Sequence, residues 1–411
     1  MGVIIPDLAL ENLHMYKYSG VDNGSFEMCY CWCRSILGRL CLNKFWTKIA
    51  MLFPRFIAPN TITLAGLFLV AVNFATLIHY DYQYLGETGR APGPPQWIYF
   101  TWAAGLFIYQ TLDACDGQAR KTGMAGPLGE LFDHGCDALN TILEVIMCLR
   151  ALDLTRSWWT VASVTATVAN FYLTTWEEFH TGLFDDITKG ILHFNGGCPF
   201  DNWFASAMGL SPSIRQIPLK IAFMIFSAFG LGFNIIISYR NVYKSLKRGN
   251  SGLMPILRLL PFASVPLVGS PGKSIVRSGY MMPYLCVWGL EFAHLVNGLT
   301  FAIGGKVITA HITKTSFPFW NWDWLWIAII ATDGHAQKLL GRSPILASSS
   351  IGQAAVVFFS LGILLFSYGR YCTLVIQDIT NYLGIACFTV RKKSARGEWK
   401  AIWELEAEKF Q

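Results

Sequence analysis

The sequence predicts an all-α integral membrane protein of about ten transmembrane helices with an amphipathic cytosolic segment at its amino terminus. Three observations lead there. Of 411 residues, 53% are hydrophobic and only 14% are charged, whereas soluble domains are about 45–50% apolar and about a quarter charged. Mean hydropathy is +0.39. Apolar runs of the roughly 20 residues needed to cross a bilayer recur along the chain, and Lys and Arg gather in the short segments between them.

Residues 1–60 interleave Phe, Trp and Tyr with Lys and Arg, the pattern of amphipathic helices lying on the cytosolic face. The start, MGVIIPDLALENLHMYKYSG, lacks a basic region followed by an apolar one, so no cleaved signal peptide is expected and the first span should act as the targeting signal. Clear spans fall near 61–80, 97–115, 131–151, 157–175, 217–238, 254–270, 281–303, 317–333 and 351–377. A tenth, between about 178 and 209, carries charges and paired glycines, but the charge distribution argues for it. With a cytosolic amino terminus and ten spans, RNVYKSLKR (240–248), RKKSAR (391–396) and the Arg120-Lys121 turn all face the cytosol, as the positive-inside rule requires. The chain then divides into the amino-terminal segment 1–60, a catalytic core at 61–238, further transmembrane helices at 239–377 and a cytosolic tail at 378–411. No repeat of fixed period is present.

Composition also excludes partners. The 32 Lys and Arg exceed the acids by six but form no basic stripe, so nucleic acid is not an expected partner. Of the 11 Cys, Cys115, Cys136, Cys148, Cys286 and Cys372 lie in or beside apolar spans and read as reduced packing residues. Cys29, Cys31 and Cys33 alternate with aromatics, without the C-x-x-C spacing and second ligand pair of a metal knuckle.

Ionisable groups inside spans are costly, and here they crowd into LDACDGQARKTGMAGPLGELFDHGCDALN, residues 112–140. Asp113 and Asp116, three apart, share a face at the cytosolic end of the second span. On the third span Asp133 and Asp137 are four apart, as are Glu130 and His134, so these four side chains occupy one sector of a helix. Carboxylates at such depth repel one another unless protonated, paired or metallated, and the nearby cations are Arg120 and Lys121. A metal accounts for the set. All-oxygen ligands favour Mg²⁺ or Mn²⁺ over zinc, and hard cations on acidic clusters serve phosphate chemistry. Small residues at Gly117, Ala119, Gly123, Gly126 and Gly129 permit close approach of backbone or ligand, and Arg120 can hydrogen-bond a phosphate. Together they describe a diphosphate pocket. A purely structural role, with Asp113 or Asp137 paired to Arg120, explains one residue better than it explains the cluster. His134 alone would read as a core histidine. Beside Glu130 and three aspartates it reads as a base.

This stretch resembles the signature of the CDP-alcohol phosphotransferase family, D-x2-D-G-x2-A-R-x8-G-x3-D-x3-D, with Asp113, Asp116, Gly117, Ala119, Arg120, Gly129, Asp133 and Asp137 at its fixed positions. One departure stands out: a single residue, Gln118, separates Gly117 from Ala119 where the family has two. In a continuing helix that loss would turn Arg120 by about 100° relative to Asp113. GELFDHGCD resembles the choline/ethanolamine branch, as do YKYSGVD (16–22), APNTIT (58–63), TWEEFHTG (175–182), AHITKTSFP (310–318) and NYLGIACF (381–388). Residues 183–215 and 333–350 fit that branch poorly.

The resemblance implies that Asp113, Asp116, Asp133 and Asp137 hold a Mg²⁺ or Mn²⁺ pair. By the same resemblance Asn60, Gly117, Ala119, Arg120 and Gly129 contact the CDP moiety, and His134 with Glu130 supplies the base, Asp137 serving beside them. It implies substrates CDP-choline or CDP-ethanolamine and diacylglycerol, taken from membrane lipid, and a homodimer in the endoplasmic reticulum or Golgi membrane whose active site faces the cytosol. Three other readings remain open. The same fold could act on inositol, glycerol phosphate or serine, although relatives of that kind should lack FDHGCD and TWEEFHTG. The acidic cluster could be the cation site of a transporter or channel, although such acids belong near the bilayer midplane and Asp113 and Asp133 lie at span ends. The shortened signature could also mark an inactive homologue.

Overall fold

The computed structural model describes residues 5, 7–11, 13, 43–85, 93–115, 117–181, 219–246, 259, 273–297, 329, 332–333, 335–343, 345, 349–394 and 396–408. After a short helix α1 (Asp7–Glu11), α2 (Asn43–Leu52) precedes the long helices. Next come α3 (Pro59–Asp81), α4 (Gln96–Asp113), the short α5 (Gly117–Thr122), α6 (Pro127–Ala151) and α7 (Trp158–Thr181). Further along lie α8 (Leu219–Leu246), α9 (Lys273–Arg277), α10 (Met281–Asn297), α11 (Ala336–Leu339) and α12 (Ser350–Leu383).

Local sequence sets the ends of these helices. Proline stands in the first turn of both α3 and α6, where its missing N–H costs nothing and its fixed φ is already helical. The Ser349 hydroxyl caps α12 by accepting from the Gly352 N–H at 3.0 Å. At the other end Gly384 adopts φ 63° and donates its N–H to the Thr380 carbonyl, a left-handed stop that glycine adopts without strain.

Among the described residues three helices are long and apolar enough to cross a membrane: α3, the 223–245 stretch of α8, and α12. Their outward faces carry Phe68, Phe229, Phe233 and Phe366 exposed, a greasy surface suited to lipid rather than water. The more polar α6 is buried among them, packed on α3, α7 and α10. It packs tightly on α10, where a Cβ at Gly289 would clash with the Ile142 side chain. Between α7 and α8 runs a polar ladder: Asn234 donates to Asn170 at 2.6 Å, Asn241 to Glu177 at 2.6 Å and Ser245 to the His180 carbonyl at 3.1 Å. Such bonds hold helices together where lipid removes the hydrophobic drive for association.

That ladder rises along both helices in the same sense, so α7 and α8 are parallel. α10 and α12 are parallel as well, with Tyr280 bonded to Ser350 at 3.2 Å at one end and His294 to the Leu364 carbonyl at 3.2 Å further on. The crossing expected at 178–209 lies outside the described residues beyond Thr181, as do nearly all of 254–270 and 317–333, most of the amphipathic segment, and Cys29, Cys31 and Cys33. Observed helices extend several expected spans: α7 continues to Thr181, α8 to Leu246 and α12 to Leu383.

The expectation of an all-helical chain needs one correction. In the tail, β1 (Arg391–Lys393) and β2 (Trp399–Ala401) pair antiparallel ahead of α13 (Ile402–Glu408). Gly384 ends α12, and the chain then folds back so that Lys393 N–H reaches the Gly384 carbonyl at 2.8 Å. Beyond the helix the backbone has to satisfy its hydrogen bonds in another way.

Candidate metal centre and adjoining cavity

α4 ends at Asp113, and α6 carries Asp133 and Asp137 on its first turns. The three carboxylates converge: one oxygen from each lies within 4.8 Å of the others. Oxygens sharing a hard cation with bonds of about 2.0–2.6 Å fall within about 4–5 Å of one another, so the donor set fits a metal site. Asp137 is buried, and Asp113 and Asp133 are half-buried. Two hydroxyls orient the cluster. Tyr109, one turn before Asp113, donates to Asp137 Oδ1, and Thr63 on α3 donates to Asp133 Oδ1 at 3.4 Å.

His134 lies beside the cluster, its Nδ1 4.0 Å from Asp137 Oδ2. Glu130, expected to orient that ring, stands one turn earlier on α6, half-buried. Asn60, in the first turn of α3, is buried with its amide oxygen 3.8 Å from where a Cβ on Gly129 would be. A larger residue at Gly129 would therefore fill the space between α3 and α6. The other side of Asn60 faces the tail: its amide donates to Cys387 Sγ at 3.4 Å, and burial pushes the Cys387 thiol up, keeping it neutral. Thr61 donates to the Phe388 carbonyl at 3.2 Å, and the Phe388 ring meets Phe132 edge-on at 5.5 Å. The tail thus covers the end of the bundle that holds the acids.

Asp116 lies outside the described residues, as do the side chains of Gln118 and Arg120. The backbone around them bears on the one-residue gap. α4 stops at Asp113 and α5 starts afresh at Gly117, so the shortening falls at the start of a separate helix and the rotation expected for a continuing helix does not apply. α5 is tied down by Lys121, whose Nζ donates to the carbonyls of Met51 at 3.2 Å and Phe53 at 2.5 Å. Met124 N–H bonds the Ala119 carbonyl at 2.9 Å as the chain turns toward α6.

A cavity of about 950 Å³ starts at Asp137 and descends between α6, α7 and α8, lined by Thr141, Val145, Phe171, Phe223 and Leu231. Its lining follows α6 from Asp137 to Leu149, about 18 Å of helix rise. The walls are apolar except for a few groups such as Glu144, whose Oε1 is buried without a hydrogen-bond partner. Sequence reasoning did not single out Tyr109, Thr63, Cys387 or Glu144. Tyr109 was within reach, being four residues before Asp113 and so on its face of the helix. Cys387 was not, because 327 residues separate it from Asn60.

A family model described as CDP-alcohol phosphatidyltransferase matches residues 56–185. The chain is 32% identical to choline/ethanolaminephosphotransferase 1 of Saccharomyces cerevisiae over 78% of its own length and 82% of the yeast protein's. It is 30% identical to choline/ethanolaminephosphotransferase 1 of Arabidopsis thaliana over 93% of its length and 97% of the plant protein's. An uncharacterised CDP-alcohol phosphatidyltransferase class-I family protein of Schizosaccharomyces pombe is 31% identical over 93% of this chain and 97% of its own.

Proposed function

The chain belongs to the CDP-alcohol phosphatidyltransferase family, and from that premise we propose that it transfers phosphocholine, phosphoethanolamine or both from the CDP-alcohol to diacylglycerol, releasing CMP. The observation that carries the reading is the convergence of Asp113, Asp133 and Asp137 at the head of an apolar cavity. A headgroup donor rich in phosphate and an acceptor with two acyl chains need those two environments side by side.

In this proposal Asp113, Asp116, Asp133 and Asp137 hold Mg²⁺ or Mn²⁺, and Asn60, Gly117, Ala119, Arg120 and Gly129 seat the CDP. The bound cation would supply charge neutralisation on the diphosphate. The cavity takes the acyl chains and brings the acceptor hydroxyl to Asp137. His134 accepts the hydroxyl proton as the new P–O bond forms and the bond to CMP breaks. Asp137 beside Nδ1 favours a proton on that nitrogen, leaving Nε2 as the base. Glu130, one turn away, stabilises the charged ring. The proposal includes ten spans, an active site on the cytosolic side of the endoplasmic reticulum or Golgi membrane, and a homodimer.

The test is CMP release by the purified protein given diacylglycerol with CDP-choline or CDP-ethanolamine in turn, with Mg²⁺ and then Mn²⁺. Release dependent on both diacylglycerol and metal is expected. No release with either donor overturns the proposal in favour of an inactive homologue.

A further inference from the structure

A second cavity, of about 1220 Å³, runs between α3, α6, α10 and α12 toward the end of the bundle away from the acids. It exceeds the roughly 300–1,000 Å³ of small-molecule sites. Its walls are apolar, with Leu67, Ala71, Ile78, Leu143, Leu290 and Phe358 among them. On α3 the lining runs from Leu67 to Tyr82, about 22 Å of helix rise, longer than the half of a ~30 Å hydrocarbon core that one leaflet supplies.

The far end of this cavity is basic. Arg156, in the turn between α6 and α7, and Arg277, at the end of α9, both line it. Arg156 is held in place: its Nε donates to the Gln83 carbonyl at 2.7 Å and one Nη to the Arg277 carbonyl at 3.3 Å. Its other Nη is buried and has no hydrogen-bond partner. Gly279 makes room for that nitrogen, since a Cβ there would come within 3.3 Å of it. The neighbouring acid, Asp81, is engaged with Arg150 at 2.5 Å. Two guanidinium groups with no paired carboxylate among the described residues, set at the rim of an acyl-length apolar cavity, call for an anion attached to hydrocarbon.

We propose that this cavity binds an acidic phospholipid, its acyl chains between α3 and α12 and its phosphate on Arg156 and Arg277. The site is separate from the metal centre and does not depend on the reaction proposed for it. An acidic headgroup is favoured because a zwitterionic one would bring its own cation to the two arginines.

The experiment is native mass spectrometry of the full chain in detergent with a chelator present, so that phosphate on the acidic cluster does not contribute. Phosphatidic acid is titrated into the wild type, the Arg156→Ala/Arg277→Ala double variant and Ala71→Trp, which fills the cavity from its exposed side. Expected is at least tenfold weaker binding by both variants, with thermal unfolding of Ala71→Trp unchanged. Equal binding by wild type and Ala71→Trp, or by wild type and a folded arginine variant, would mean annular lipid only and overturns the proposal. Should the arginine variant fail to fold, Ala71→Trp decides alone.

Discussion

The Tyr109 hydroxyl on α4 donates to Asp137 Oδ1 on α6, so the helix that ends in Asp113 also orients the carboxylate at the head of the cavity. A hydrogen bond to a charged group is worth about 1.5–3 kcal/mol. Tyr109→Phe removes it and leaves the ring packed. The metal concentration for half-maximal CMP release is expected to rise about tenfold, with thermal stability lowered by only a few degrees. An unchanged metal requirement would show that Asp137 is positioned by other contacts.

Asp133→Ala and Asp116→Ala each remove a proposed ligand. Transfer is expected to fall by orders of magnitude while the protein still inserts and purifies as the wild type does, because a lost metal ligand costs several kcal/mol of transition-state stabilisation. CMP release is the measurement. Near-normal turnover in either variant removes the metal assignment.

Glu144 lies two turns below Asp137 in the cavity wall, one oxygen buried without a partner. Replacing a buried acid by a hydrophobe of similar size is often neutral or stabilising. Glu144→Leu is therefore expected to keep or raise the melting temperature while shifting KM for diacylglycerol by severalfold and leaving kcat nearly constant. A change in kcat with KM constant would place Glu144 outside acceptor binding.

Inserting one Lys between Gly117 and Gln118 restores the family's spacing at the start of α5. Because α5 starts afresh after α4 and the shorter link falls at its first turn, CMP release is expected to stay within about threefold of the wild type. A tenfold rise would show that the shorter link mis-aims Arg120, since errors of about 1 Å in a positioned site can cost a hundredfold.

Topology gives a further check. Ser245, near the end of α8, lies beside His180, and Cys387 beside Asn60, so both belong to the end that holds the acids. Single cysteines placed near residue 245 and at the carboxyl terminus should both react with a membrane-impermeant reagent from the cytosol. Reaction from opposite sides would break the count of ten spans.

The sequence by itself determined the helices and the spacing of the acids along them, because both are local properties. Runs near 61–80, 97–115, 131–151 and 351–377 became α3, α4, α6 and α12, since about 20 apolar residues have few options except a helix in a bilayer. The spacing of Asp133 and Asp137 likewise put both on one face of α6 without reference to the rest of the chain. Only the tertiary structure decided what meets across helices. Cys387 reaches Asn60, Tyr109 reaches Asp137, α7 runs parallel to α8, and the α4–α5 break relieves a rotation that helical geometry alone would impose. These contacts join residues tens to hundreds of positions apart. No periodicity along the chain encodes which faces pack, because that choice depends on the shapes of both partners at once.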